Sequence, residues 1–132
     1  MSEYHVRELD YKDEELLIQV LRDMGYSPVI HKEAVSLYGY QGDQRKQKAH
    51  IIIPRKQVGS ASNDVGFERT SQGLKLHISE YDERQKTFDT GKMRQTFASR
   101  HVINYINKKS KYRLKSQQTR EDGRISIKLL VR

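Results

Sequence analysis

Apolar and polar residues follow two rhythms along this chain, and each change of rhythm marks an element. Leu16, Leu17, Val20, Leu21 and Met24 recur every three or four residues, which lines them up on one helical stripe. Asp10 is placed to cap that helix, with Asp13, Glu14 and Glu15 in its first turn, at the positive end of the helix dipole. Gly25 stops it. Ahead of it, Tyr4 to Leu9 predicts a strand. Behind it, Pro28 to Lys32 and Ala34 to Tyr40 are extended and bent around Lys32-Glu33, and Ala49 to Arg55 carries Ile51, Ile52 and Ile53 up to Pro54.

After the loop "GSASND" the rhythm is again two. Asp64 to Arg69 and Leu74 to Tyr81 flank "TSQG", with Gly73 free to take a positive φ. Leu74, Leu76 and Ile78 alternate with Lys75, His77 and Ser79, so one sheet face is expected to be buried and the other wet. Asp89 or Thr90 then opens a helix over residues 90–109. Phe97, Ala98, Val102, Tyr105 and Ile106 are expected inside, with Arg100, Asn104, Asn107 and Lys108 outside. Tyr112 to Gln118 and Arg124 to Val131 predict a last hairpin across "REDG". The order β-α-β-β-β-β-α-β-β implies an α+β fold, an antiparallel sheet of hairpin strands with two helices on one face, in a single domain over 1–132.

Composition narrows the function classes. With no cysteine among 132 residues, disulfides, thiolate zinc sites and cysteine nucleophiles drop out, and a reducing interior compartment is favoured. The start MSEYHVRELD has the look of neither a signal peptide nor a membrane span. Apolar runs stop at three residues, as at Ile51 to Ile53, so no membrane partner is expected.

The net charge of +8 is lopsided. Residues 1–66 hold nine Lys/Arg against ten Asp/Glu (−1), and residues 67–132 hold sixteen against seven (+9). Nine cations and no acid lie between Lys92 and Arg120. Such asymmetry suits a polyanionic partner, RNA or DNA before any other, although a solvated basic face is the plainer reading.

Five segments, "MSEYH", "YGYQG", "NDVGFER", "RQTFASRHV" and "EDGRISIKLLVR", run in order over nearly the whole chain. As an ordered set they resemble the hypothetical chloroplast open reading frame thirty-five family of plastids, cyanobacteria and other bacteria. The resemblance implies a small soluble domain in the cytoplasm or the plastid stroma. It carries over no catalytic residue, and this chain is more basic between its second helix and last hairpin than the family pattern.

The chemical motifs are few. "YGYQGDQRK" contains a GxxG, yet strands rather than helices flank it, and no Lys-Ser or Lys-Thr follows as a P-loop requires. It predicts a hairpin turn or bulge, with Arg45, Lys46 and Lys48 as a basic finger. His5, His31, His50, His77 and His101 show no HxH or HxxxH spacing, and only His5, His50 and His77, with Glu80 or Asp82, could converge across strands. No metal and no cofactor is expected. There is no G-x-S-x-G, the carboxylates of "SEYDERQ" suit a turn, and no enzymatic activity is expected.

The expected function is therefore binding. Outward-facing Lys75, Arg113, Lys115, Arg124 and Lys128 on the sheet, and Arg100, Lys108, Lys109 and Lys111 along the second helix, would contact phosphates. The alternative is an adaptor that docks an acidic protein partner on the sheet face or edge.

Overall fold

The computed structural model describes residues 2–9, 11–109, 117–119 and 125–127. The chain divides into two compact units, residues 1–97 and 98–132. In order come β1 (Tyr4–Glu8), α1 (Glu14–Asp23), β2 (Val29–Tyr38), β3 (Gln44–Ile53), α2 (Arg55–Val58), β4 (Val65–Thr70), β5 (Gly73–Ser79), α3 (Glu80–Gln85), α4 (Thr90–Lys109), β6 (Gln117–Thr119) and β7 (Ile125–Ile127). The first unit carries a five-stranded antiparallel sheet, ordered β1-β5-β4-β3-β2. The second carries the antiparallel pair β6-β7, with Gln117 opposite Ile127. The fold class is α+β, as the rhythm of the sequence predicts.

Local chemistry sets the helix ends. Asp13, not Asp10, caps α1, its carboxylate accepting the Leu16 amide at 3.1 Å. At the other end Gly25 adopts φ +97°, and the amides of Gly25 and Tyr26 reach back to the carbonyls of Arg22 and Leu21. That is a Schellman closure, which needs a left-handed residue. Two short helices were not expected: α2 begins at Arg55, which the sequence assigned to the end of a strand, and α3 stands where it suggested a turn. For α3 the signal was present in Ser79-Glu80-Tyr81-Asp82. The Ser79 hydroxyl accepts the Asp82 amide at 3.1 Å, the first half of a capping box.

The main core lies on one face of the sheet. Ile51 and Ile53 of β3, Val65 and Phe67 of β4, and Leu74, Leu76 and Ile78 of β5 meet Leu16, Leu17, Val20 and Leu21 of α1. Phe88, between α3 and α4, and Met93 and Phe97 of the first turns of α4 complete it, and Phe97 stacks on Tyr11 at 3.5 Å between ring centroids. Each such aliphatic side chain contributes about 1.5–3 kcal/mol by leaving water.

The opposite face is not simply wet. Tyr4, Leu37, Ala49 and Ile52 form a second, smaller apolar group there. The β2-β3 pair shifts register between Ile30 and Val35 and again between Ser36 and Tyr38. This brings Leu37 and Ala49 down onto Gly66 of β4, where an added Cβ would lie 2.8 Å from Leu37 Cδ2 and 2.6 Å from Ala49 Cβ. Glycine is the residue that lets the two layers touch. His77, paired with Gly66 in the next strand, is consequently buried rather than exposed.

A second departure concerns α4. Beyond Phe97 the expected sides hold only in part: Ala98, Val102 and Tyr105 face solvent and Arg100, Asn104 and Asn107 are half-buried, whereas Ile106 is half-buried and Lys108 exposed, as expected. Three of the side chains expected inside therefore stand on the outer side of the helix in its second half.

Candidate nucleic-acid interface

The cations singled out from the sequence fall into three groups. Lys111, Arg113, Lys115, Arg124 and Lys128 lie outside the described residues. Arg45 is committed to the fold. Its guanidinium sits 5.0 Å over the Tyr4 ring, lies 3.6 Å from the Asp43 carboxylate and donates to the Ser2 carbonyl. Lys46 and Lys48 alternate outward on β3 and are exposed. Of the three cations expected behind the glycine turn, these two point to solvent. In that turn the Gly39 amide donates to Asp43 and the Gly42 amide to Gly39, with Gly42 at φ +80°. The turn builds a hairpin and no phosphate loop. Lys75 is half-buried between Glu8 and Glu68, its cross-strand neighbours.

The third group is on α4. Arg100 is half-buried and has interactions of its own. Lys108 and Lys109 are exposed in the last turn, where cations offset the negative end of the helix dipole. Tyr105 is 58 % exposed and Val102 54 %, and Lys109 Nζ lies 5.8 Å over the Tyr105 ring. With His101, also exposed, these side chains recur at helical spacing along one stripe. An exposed aromatic ring among cations offers a π face for stacking and positive charge for phosphates. Sequence reasoning placed Tyr105 in the core and so missed it; the i, i+3, i+7 spacing of Ala98, His101 and Tyr105 was the available signal.

His5, His50 and His77 have structural partners. His5 Nδ1 is 3.0 Å from Glu83, which Arg7 also grips at 2.8 Å. The Arg7 hydrogen bond first, and the His5 contact with it, hold the Glu83 carboxyl down at about 2. His77 Nε2 meets Glu68 at 2.9 Å. His50 Nδ1 accepts the Arg69 amide, and burial together with the Arg69 charge lowers its pKa, so the ring stays neutral. His5, His50 and His77 therefore do not converge. Among the described residues no three His, Asp or Glu side chains are spaced to hold a metal ion.

Polar residues missed by sequence reasoning assemble under the loop before β4. Asp64 accepts the backbone amides of Tyr38 and Arg55, each at 2.8 Å, and its carbonyl accepts the Tyr4 hydroxyl at 2.6 Å. Burial, with the Asp64 charge next, raises the Tyr4 pKa. Asp82, fully buried, accepts the Asn63 amide at 2.9 Å and the hydroxyls of Ser79 and Thr87. Asn63 in turn accepts the Tyr40 amide at 2.9 Å and donates to Ser79 at 2.8 Å. These groups were read as loop polarity because nothing in their spacing announces burial.

A model of the family described as "Protein of unknown function (DUF1257)" matches residues 20–128. The chain belongs to that family. The match runs from within α1 through β7, so it takes in the buried polar network and the exposed stripe of α4. No curated protein and no solved structure matches the chain. Among the described residues, no helix is long and apolar enough to cross a membrane.

Proposed function

We propose that this protein binds single-stranded nucleic acid, chiefly RNA, through the outer stripe of α4, and that it does so without catalysis. The observation that carries the reading is Tyr105, exposed and capped by the Lys109 ammonium. Stacking on one such ring is worth about 1–3 kcal/mol per base, and nearby cations release counterions from phosphates. Lys108 beside Lys109, the neighbouring Lys111, Arg113 and Lys115, and Arg124 and Lys128 further on give the charge density the reading needs. Within the DUF1257 family, the resemblance to the hypothetical chloroplast open reading frame thirty-five group is retained, and with it a cytoplasmic or stromal location.

Fluorescence anisotropy with labelled single-stranded RNA and duplex DNA, at low and at physiological salt, tests it. The expected result is binding that favours the single strand and falls steeply with salt. Tyr105→Ala should cost about 1–3 kcal/mol without a change in the salt slope. Lys108→Glu with Lys109→Glu should reduce both affinity and slope. Binding that neither variant alters overturns the proposal.

Val102, apolar and exposed next to Tyr105, favours the second reading, an acidic protein partner docked on the same stripe. Capture of a protein that survives physiological salt and is lost in Val102→Asp would replace nucleic acid with that partner.

A further inference from the structure

A cleft of about 430 Å³ opens between the β2-β3 turn and α3, within the first unit. Its size falls in the ~300–1,000 Å³ range of small-molecule sites. Tyr40 and Tyr81 contribute aromatic surface, Ala61 leaves room, and Asn63 forms part of the lining. Glu80 and Arg84 stand at one side. Arg84 is 64 % exposed, and its partner among the described residues is Glu80 at a long 3.4 Å. Most guanidinium donors are therefore uncommitted, as is the Tyr81 hydroxyl, for which no hydrogen bond exists among the described residues.

The lining is held in place by the buried network. Asn63 fixes the Tyr40 amide and is itself fixed by Asp82 and Ser79. Arg55 holds the Tyr40 carbonyl at 2.9 Å, and Ser2 holds the Tyr81 amide at 2.7 Å. Because the polar groups of Asn63 are saturated by the protein, they do not compete for ligand. The free polar chemistry is confined to Arg84, Glu80, the Tyr81 hydroxyl and the donor side of the Tyr40 hydroxyl, which accepts from the Gln41 side chain at 3.1 Å. Aromatic walls accept a planar ring, a free guanidinium accepts a phosphate in bidentate fashion, and a carboxylate accepts a hydroxyl or amino proton.

We infer that this cleft binds a mononucleotide, its base against Tyr40 and Tyr81 and its phosphate at Arg84. The assignment is independent of the α4 stripe. The same chemistry is offered by a free nucleoside monophosphate and by the phosphorylated 5′ end of an RNA strand.

Amide chemical-shift titration of the full chain with AMP, GMP, CMP and UMP in turn, with adenosine as a control, decides the matter. The expected result is saturable binding of at least one monophosphate, with shifts centred on Tyr40, Asn63, Tyr81 and Arg84. Removing the phosphate should weaken binding about tenfold, through loss of the charge-assisted bonds. Arg84→Gln should bring AMP down to the affinity of adenosine, Arg84→Lys should restore part of it, and Tyr81→Ala should weaken both ligands. The pair Lys108→Glu and Lys109→Glu should leave all of this unchanged, which separates this site from the helix stripe. A 5′-phosphorylated RNA that displaces the monophosphate identifies a strand end as the ligand; one that does not identifies the free nucleotide. No saturable binding by any of the four, or binding indifferent to both Arg84→Gln and Tyr81→Ala, overturns the inference.

Discussion

The two faces of the five-stranded sheet are built on different principles. The face under α1 is a continuous apolar core in which Leu17, Ile51, Phe67 and Ile78 are fully buried and any one contact is a small part of the whole. On the other face, among the described residues, only Tyr4, Leu37, Ala49 and Ile52 are apolar and buried, and the hairpin that reaches them is tied by hydrogen bonds to Asn63 and Asp64. One face depends on area removed from water, the other on a few satisfied polar groups. The difference matters for function, because the cleft and the β2-β3 turn stand on the second kind of support. Area is forgiving and directionless, whereas hydrogen bonds fix orientation and are costly to lose.

That contrast can be broken most sharply at Asp82. Asp82→Ala would strand the buried Asn63 backbone amide, remove one of the two acceptors of its side-chain amide and free the hydroxyls of Ser79 and Thr87. A loss of about 3 kcal/mol is expected by denaturant titration, as for other buried polar groups deprived of a charged partner. A loss no larger than for an exposed substitution would show that the network does not support the second face. A smaller effect is expected at Gly66. Gly66→Ala places a methyl group against Leu37 and Ala49 and should cost about 1–3 kcal/mol through overpacking. Leu37→Ala in the same chain should recover part of it, and failure to do so would mean that the hairpin does not pack as described.

The smallest effect is electrostatic and sharpens the contrast at the sheet edge. Glu83 is held at about 2 against an ordinary 4.5 by Arg7 and His5. A carboxylate whose folded pKa is depressed favours the folded state above its unfolded pKa. Its contribution is fully present above pH 4.5 and is lost as pH falls toward 2. Arg7 is half exposed, so solvent screening keeps the effect small. Thermal melts between pH 2 and 7 should show wild type ahead of Glu83→Gln at neutral pH and the two converging in acid. A constant gap across that range would assign the loss to packing instead.

Much of the architecture was legible in the residues. The stripe from Leu16 to Met24 placed α1, the alternation from Leu74 to Ile78 placed β5, and "TSQG" placed the turn between β4 and β5. Each of these is a local signal whose period matches its backbone. The candidate sites were less legible. Lys108 and Lys109 were read correctly as exposed, but Tyr105 was assigned inward because an aromatic at an apolar phase is usually core. His77 was assigned outward because it alternates with Leu76 and Ile78. Its burial follows from Gly66, a residue in another strand.

The sequence alone determined the α+β class, the helix stops, the order of strands along the chain and the lopsided charge, since periodicity, capping chemistry and composition act over a few residues. Only the tertiary structure decided the strand order β1-β5-β4-β3-β2, the descent of the β2-β3 hairpin onto Gly66 and the saturation of Asn63 and Asp82. It also decided that Val102 and Tyr105 of α4 turn to solvent. The reason is physical. A side chain's period fixes its neighbours along one element, but its burial is fixed by whatever packs across from it, and those partners lie tens of residues away.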